Sequence, residues 1–169
     1  MKRRYNSAQA MRVIEQIREN IDGAQFTTDL MVGFPGESEE NFLETVDFTR
    51  RAMFLDAHVF AYSRREGTPA AYYDNQITED KKRKRSAELI RVKNEVRDSV
   101  LDKVVSDSGT LSAIAETLDG GFYTAHTDSY VEVKFASDDE NLSGELVNLV
   151  PVSHKDGVVF CNLVNDKYK

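Results

Sequence analysis

Two segments constrain the fold more than the rest of the chain together: TDLMVGFPGE at Thr28–Glu37 and HVFAYSRREGTPAA at His58–Ala71. In the first, the apolar run Leu30, Met31 and Val32 enters a Gly-Phe-Pro-Gly turn. Such runs are typical of buried parallel strands. Ser38 then caps a helix, with Glu39 and Glu40 in the first turn, where the helix dipole favours acids. The second segment is another strand, with polar residues gathered at its C-terminal end. Strand, helix and strand in that order make a βαβ unit with parallel strands. Ligands sit at the C-terminal ends of such strands, so this end of the sheet, at Gly33–Glu37 and Tyr62–Ala71, is the first place to look for a site.

The flanking pattern agrees. Asn6 with Gln9 reads as a capping box, and Ala10, Ile14, Ile17 and Ile21 then fall on one helical face. Gln25–Val32 is the first strand, Phe42, Val46 and Thr49 form the packing face of the next helix, and Asp56–Tyr62 is the second strand. Thr78 opens a long helix to about Lys103, with Leu89, Val92, Val96 and Val100 on one face. Beyond it the period changes. Leu111–Leu118, Phe122–His126, Tyr130–Phe135, Glu145–Val152 and Val158–Val164 read as five short strands divided by turn residues, the pattern of a small β-barrel.

Charge divides the chain at the same place. Residues 1–103 carry 18 Lys+Arg and 18 Asp+Glu, whereas residues 104–169 carry 4 and 11, which accounts for the whole net charge of −7. The expected architecture is thus α/β followed by all-β, with domains over 1–103 and 104–169. Residues 1–103 supply only two clear strands, too few for a complete barrel, and read as cut from something larger. No stretch approaches the ~18 apolar residues of a membrane helix. The basic N-terminus has no apolar core after it, so it is not read as a signal peptide, and a cytoplasmic setting is expected. One cysteine, Cys161, excludes an internal disulfide framework and any all-cysteine metal site; it reads as a small buried apolar residue.

The Gly33–Glu37 turn places backbone N–H groups at a helix start, which suits an anion or a nucleoside edge, although such turns are more often only turns. His58, Phe60 and Tyr62 share one face of their strand and Val59 and Ala61 the other, so one set must face the interior. A lone strand histidine is more often a hydrogen-bonded core residue than a catalyst. Arg64 and Arg65 at the strand exit suit phosphate or carboxylate. The run Lys81, Lys82, Arg83, Lys84, Arg85 reads either as a phosphate-binding patch or as a solvated helix face. Phe122, Tyr123 and Tyr130 are candidates for base stacking or for core. His126 and His154 have no metal-ligand spacing and receive no role.

MKRRY, TDLMVGFPGES and HVFAYSRREGTPAA with Gln76 together resemble the radical SAM methylthiotransferases. His58-Val59-Phe60 and the run from Arg64 through Gly67-Thr68-Pro69-Ala70-Ala71 look most like the branch acting on threonylcarbamoyladenosine in tRNA. Relatives acting on a ribosomal protein share much of the GFPGE region, and that alternative stays open. The resemblance implies the distal part of a radical SAM (β/α) partial barrel, then a five-stranded TRAM-like β-barrel taken to bind RNA. It implies S-adenosylmethionine on a [4Fe–4S] cluster held by a C-x-x-x-C-x-x-C loop, a second cluster, and radical abstraction of hydrogen from an adenine carbon followed by sulfur transfer. With Cys161 alone, neither cluster can be built here, so the chain is expected to be the C-terminal part of such an enzyme, inactive without its N-terminal half.

Carried over residue by residue, the resemblance assigns Asp29, Val32, Gly33, Gly36, Glu37, Phe60, Ala61 and Tyr62 to the surroundings of the cofactor's adenine. Arg3 is carried over to its methionyl carboxylate. On their charge, not on the resemblance, Arg64 and Lys81–Arg85 are assigned to RNA. No catalytic or metal-ligating residue is assigned. Ala61 stands where the family often has proline, and Ser38 where it often has threonine. Two further readings remain: an RNA-binding module without catalysis, opposed by the acidic barrel, and a scaffold that self-associates through the edges and open face of an incomplete sheet.

Overall fold

A computed structural model describes residues 4–107 and 109–164. The chain divides into two compact units, Met1–Arg97 and Asp98–Lys169.

In the first unit, helix α1 (Ser7–Asn20) begins with the expected capping box. The Asn6 side chain accepts from Gln9 N at 2.9 Å, and the Gln9 side chain accepts from Asn6 N at 3.0 Å. Met11 and Ile14 are its buried residues. Ile21, expected on that face, is exposed instead: it is the C-cap, with extended backbone, and no longer follows the helical period. Arg18 donates to the carbonyls of Ala52 and Met53, both at 2.8 Å, and so satisfies the last turn of helix α2 (Glu39–Ala52). Ser38 caps α2 reciprocally with Asn41, and Phe42 and Thr49 are buried on its inner face, with Val46 half-buried.

Strands β1 (Thr27–Val32) and β2 (Asp56–Ala61) pair in parallel, with Asp29 opposite His58 and Met31 opposite Phe60. One face of this pair is covered. Leu30, Val32 and Ala57 pack with Phe42 and with Leu89 of the long helix α3 (Glu79–Ser106). The opposite face carries Asp29, Met31, His58 and Phe60. Of the two sets on β2, Val59 therefore packs against the core and His58 stays exposed. Tyr62 lies just past the strand and is buried; its N–H still bonds to Val32 O at 2.8 Å. Leu89, Val92, Val96 and Val100 are all buried along α3, as its period predicts.

In the second unit, strands β3 (Leu111–Asp119), β4 (Phe122–Thr127), β5 (Glu132–Ala136), β6 (Leu146–Lys155) and β7 (Val158–Leu163) close into a barrel in the order β3-β4-β5-β7-β6. All neighbours are antiparallel except β5 and β7. Small residues Ala113, Ala115 and Ala125 leave room inside for Tyr123 and Phe135, whose rings stack with centroids 5.4 Å apart. Pro151 sits beside a bulge in β6, where a missing N–H is tolerated. Tyr130, expected in a strand, is in a turn at φ 61° with its ring exposed. Its N–H bonds to Thr127 O at 3.0 Å, and the Thr127 hydroxyl accepts from Val131 N at 3.0 Å, so the strand starts only after the turn closes.

Candidate functional site

The C-terminal ends of β1 and β2 are built around the carboxylate of Glu37. Gly33 N donates to Glu37 Oε2 at 2.7 Å, and Arg85 Nη1 donates to the same oxygen at 2.6 Å. Two further amides of the turn are also committed: Glu37 N donates to Phe34 O at 2.9 Å, and Gly36 N to Asn75 O at 2.8 Å. Of the two readings the sequence allows, this favours the plain turn over an anion cradle. The turn supplies its own anion, and the amides of Gly33, Gly36 and Glu37 are occupied. Gly33 and Gly36 have φ of 73° and 84°, in the left-handed region. Gly33 has a second reason to be glycine, because a Cβ there would overlap Lys82 Cγ and lie 3.2 Å from Lys82 Cδ.

An aromatic cluster lies next to the turn. Phe34 meets Tyr62 edge-on at 5.4 Å and Tyr73 at 6.4 Å, and Lys82 Nζ lies 5.4 Å from the centre of the Tyr62 ring. The Tyr62 hydroxyl is buried and has no hydrogen-bond partner among the described residues. After β2 the chain folds into a braced loop. Thr68 Oγ1 donates to Arg65 O at 2.8 Å, a 3₁₀ turn spans Pro69–Tyr72, and Gln76 Nε2 donates to Ala70 O and Tyr73 O at 3.0 and 2.9 Å. The motif residues Thr68, Pro69, Ala71 and Gln76 are thus the frame of the loop. Arg64 and Arg65 project from it exposed, and neither makes an ion pair among the described residues.

The basic run splits by helical face. Lys82 and Arg85 are buried at 4% and 3% exposure, so they do not belong to an exposed cationic patch. Lys82 Nζ pairs with Glu79 at 2.8 Å, and Arg85 Nη2 pairs with Glu39 at 2.9 Å, while the Arg85 guanidinium lies over the Phe42 ring. The hydrogen bond from Arg85 holds the Glu39 carboxyl below its ordinary value. Arg83 and Lys84 are exposed and share Asp80, at 2.7 and 2.8 Å; Lys81 is exposed. The sequence carried a signal for this split. Positions 82, 85, 89, 92 and 96 repeat at helical spacing, so Lys82 and Arg85 continue the apolar stripe of Leu89 and Val92.

The remaining carried-over residues separate. The Val32 side chain is wholly buried toward the helices and supports the site by packing. Phe60 is half-buried and Ala61 exposed. On the open face, the Asp29 carboxylate lies 3.5 Å from His58 Nδ1, and the His58 ring lies 5.4 Å from that of Phe60. Arg3 lies outside the described residues.

Of the barrel aromatics, Tyr123 is core and Phe122 and Tyr130 are exposed. Cys161 is buried inside the barrel, and burial pushes its thiol pKa up to about 11. Among the described residues no group of His, Cys, Asp or Glu is placed to hold a metal ion. They do not fit an iron–sulfur cluster, which needs several thiolates around one centre. At the strand ends an aromatic edge contact lies beside a buried hydroxyl that has no partner among the described residues. No helix among the described residues is long and apolar enough to cross a membrane.

Fold and site together define a class: a βαβ segment of an α/β protein with an aromatic site at its strand ends, followed by a small closed barrel. No family model matches the chain. Over 153 residues it is 37% identical to the tRNA-2-methylthio-N(6)-dimethylallyladenosine synthase of Acetivibrio thermocellus, covering 88% of this chain and 31% of that enzyme. It is 39% identical over 109 residues to the enzyme of the same name from Clostridioides difficile, covering 62% of this chain and 23% of that enzyme. It is 32% identical over 152 residues to the threonylcarbamoyladenosine tRNA methylthiotransferase MtaB of Bacillus subtilis, covering 88% of this chain and 34% of that enzyme. The chain is thus similar to enzymes named as tRNA methylthiotransferases over 88% of its own length, and it spans about a third of the length of these curated relatives.

Proposed function

We propose that this chain is the C-terminal segment of a radical SAM tRNA methylthiotransferase, and that the modified residue is threonylcarbamoyladenosine beside the anticodon. The observation that carries the family reading is the similarity to tRNA methylthiotransferases over 88% of the chain. The strand His58-Val59-Phe60 and the braced loop Arg64–Ala71 support the choice of nucleoside through their resemblance to that branch. The higher identities of 37–39% belong to relatives named for dimethylallyladenosine, and this favours that nucleoside as the second reading.

In this reading S-adenosylmethionine, bound to a cluster held elsewhere in the protein, supplies the radical chemistry. This segment contributes one wall of the cofactor site. Gly33, Gly36 and Glu37 fix the end of β1, and Phe60, Ala61 and Tyr62 line the end of β2. The acidic barrel is TRAM-like, and tRNA contacts fall to the exposed cations Arg64, Lys81, Arg83 and Lys84. The segment alone carries no methylthiotransferase activity.

Deleting the gene that encodes this chain and measuring the modified nucleosides of total tRNA by mass spectrometry tests the proposal. The methylthio form of threonylcarbamoyladenosine should vanish while the methylthio form of dimethylallyladenosine persists. The reverse pattern would establish the second reading, and unchanged levels of both would reject the two together.

A further inference from the structure

We propose that Arg85 is a positioning residue for the cofactor-binding end of β1 and β2, acting through the Glu37 carboxylate on the Gly33 amide, with Lys82 as its partner in the same brace. The inference rests on the functional reading above. It concerns how a helix residue 48 positions from Glu37 in sequence sets the shape of the turn.

The geometry assigns Arg85 three acceptors: Glu37 Oε2 at 2.6 Å, Glu37 O at 3.1 Å and Glu39 Oε2 at 2.9 Å. A planar guanidinium reaches the three from two separate nitrogens, whereas an ammonium offers all its donors from one. Glu37 is nearly as buried as Arg85, with side-chain exposures of 10% and 3%. Without Arg85 the Glu37 carboxylate would be left in a site poor in water, beside the Glu39 carboxylate and without a counter-ion. A carboxylate in that position turns toward solvent. When it turns, Gly33 N loses the acceptor it holds at 2.7 Å. Gly33 directly follows Val32, whose carbonyl accepts from Tyr62 N at 2.8 Å, so a shift of the turn reaches the ends of both strands.

Lys82 braces the same turn sterically. Its stem occupies the space that a Cβ on Gly33 would need, and its ammonium lies against the Tyr62 ring. The two cations are spaced i, i+3 on α3, so one helix face presses on both the turn and the aromatic cluster. A brace of this kind has no reason to touch the ligand. Its effect should appear in cofactor affinity, because it sets the preorganisation of the wall and supplies no reacting group.

The test has two arms. In the purified chain, amide hydrogen exchange is followed at Gly33, with Ala115 of the barrel, which donates to Glu145 O at 3.0 Å, as the internal reference. Arg85→Met should speed exchange at Gly33 by about tenfold or more with Ala115 unchanged, and Arg85→Lys should fall between. In the intact enzyme that carries this segment, Arg85→Met should raise the KM for S-adenosylmethionine by roughly tenfold with kcat within about threefold, and Arg85→Lys should recover part of the loss. If Arg85→Met does not fold, Arg85→Gln, which removes the charge and keeps a polar side chain, should show the same pattern.

Unchanged Gly33 exchange, or a lowered melting temperature with unchanged KM, would overturn the proposal and leave Arg85 a purely structural ion pair. An intact parent enzyme that neither binds S-adenosylmethionine nor modifies tRNA would instead defeat the functional reading. The exchange arm would still decide whether Arg85 sets the turn.

Discussion

Replacing Gly33 by alanine separates two costs that coincide at this residue. The first is conformational: φ is 73° at Gly33, and an L-residue held in that region costs about 1–2 kcal/mol. The second is steric: the new methyl would overlap Lys82 Cγ, a buried atom close to the helix backbone that cannot swing away, and such overpacking costs about 1–3 kcal/mol. Gly36→Ala is the matched control. Its φ is 84°, but nothing lies within 4 Å of the position a Cβ would take, so only the first cost applies. Gly33→Ala should therefore destabilise the first unit by about 2–5 kcal/mol and Gly36→Ala by about 1–2 kcal/mol. Urea unfolding followed by the helical far-UV signal reports mainly this unit, which contains α1, α2 and the larger part of α3. Adding Lys82→Ala, which removes Cγ, should cancel most of the excess, giving a coupling of about 1–3 kcal/mol in a double-mutant cycle. Equal losses for the two glycine variants, or no coupling to Lys82, would refute the close approach as the reason for glycine at 33.

Further outcomes follow from other parts of the molecule. Tyr123→Phe should cost the barrel about 1–2 kcal/mol and speed amide exchange at Leu142, because the hydroxyl donates to Asp139 O at 3.1 Å and accepts from Leu142 N at 3.2 Å. The Cys161 thiol, raised to about 11 by burial, should resist alkylation in the native protein and react fully in denaturant. The folded state favours its neutral form, so its contribution to stability should fade between the ordinary thiol pKa and about 11, which melting temperatures with Cys161→Ala as reference would show. Glu39 is held below its ordinary value by the hydrogen bond from Arg85. Asp56 is also lowered: burial pulls it up, but the hydrogen bonds from Lys93 and the Ala57 backbone and the charges of Lys93 and Arg97 together outweigh this. Depressed carboxyls take up protons on unfolding, so stability should be full above the ordinary carboxyl range and fall as pH drops through it. Glu39→Gln should flatten that acid limb in a pH series of melting temperatures.

What could be read from the sequence followed from period and local chemistry. Ser38 with Phe42, Val46 and Thr49 defined α2, and Leu89, Val92, Val96 and Val100 defined the inner face of α3, because burial on one helix face leaves a repeat that composition cannot hide. The barrel strands were legible because Gly and Asp turns interrupt a two-residue alternation. Tyr130 looked like strand because its neighbours are β-formers, and the side chain that ends the turn, Thr127, acts through a hydrogen bond with no periodic signature. The division of the five-cation run was written in the helical spacing of 82, 85, 89 and 92. The partner of Arg85, however, was illegible for a related reason: it is Glu37, 48 residues away, and no local pattern announces it. The Gly33–Glu37 turn invited an anion at its amides, and only the structure shows that Glu37 folds back to meet the first of them.

The most direct test of the account is reconstitution. The intact enzyme carrying this segment, with its clusters, a reductant and S-adenosylmethionine, would be supplied with tRNA bearing threonylcarbamoyladenosine, and the digested nucleosides analysed by mass spectrometry. The account predicts the methylthio derivative of that nucleoside, with its formation dependent on S-adenosylmethionine. No methylthio product from this tRNA or from one bearing dimethylallyladenosine, under conditions where a known methylthiotransferase is active, would contradict it.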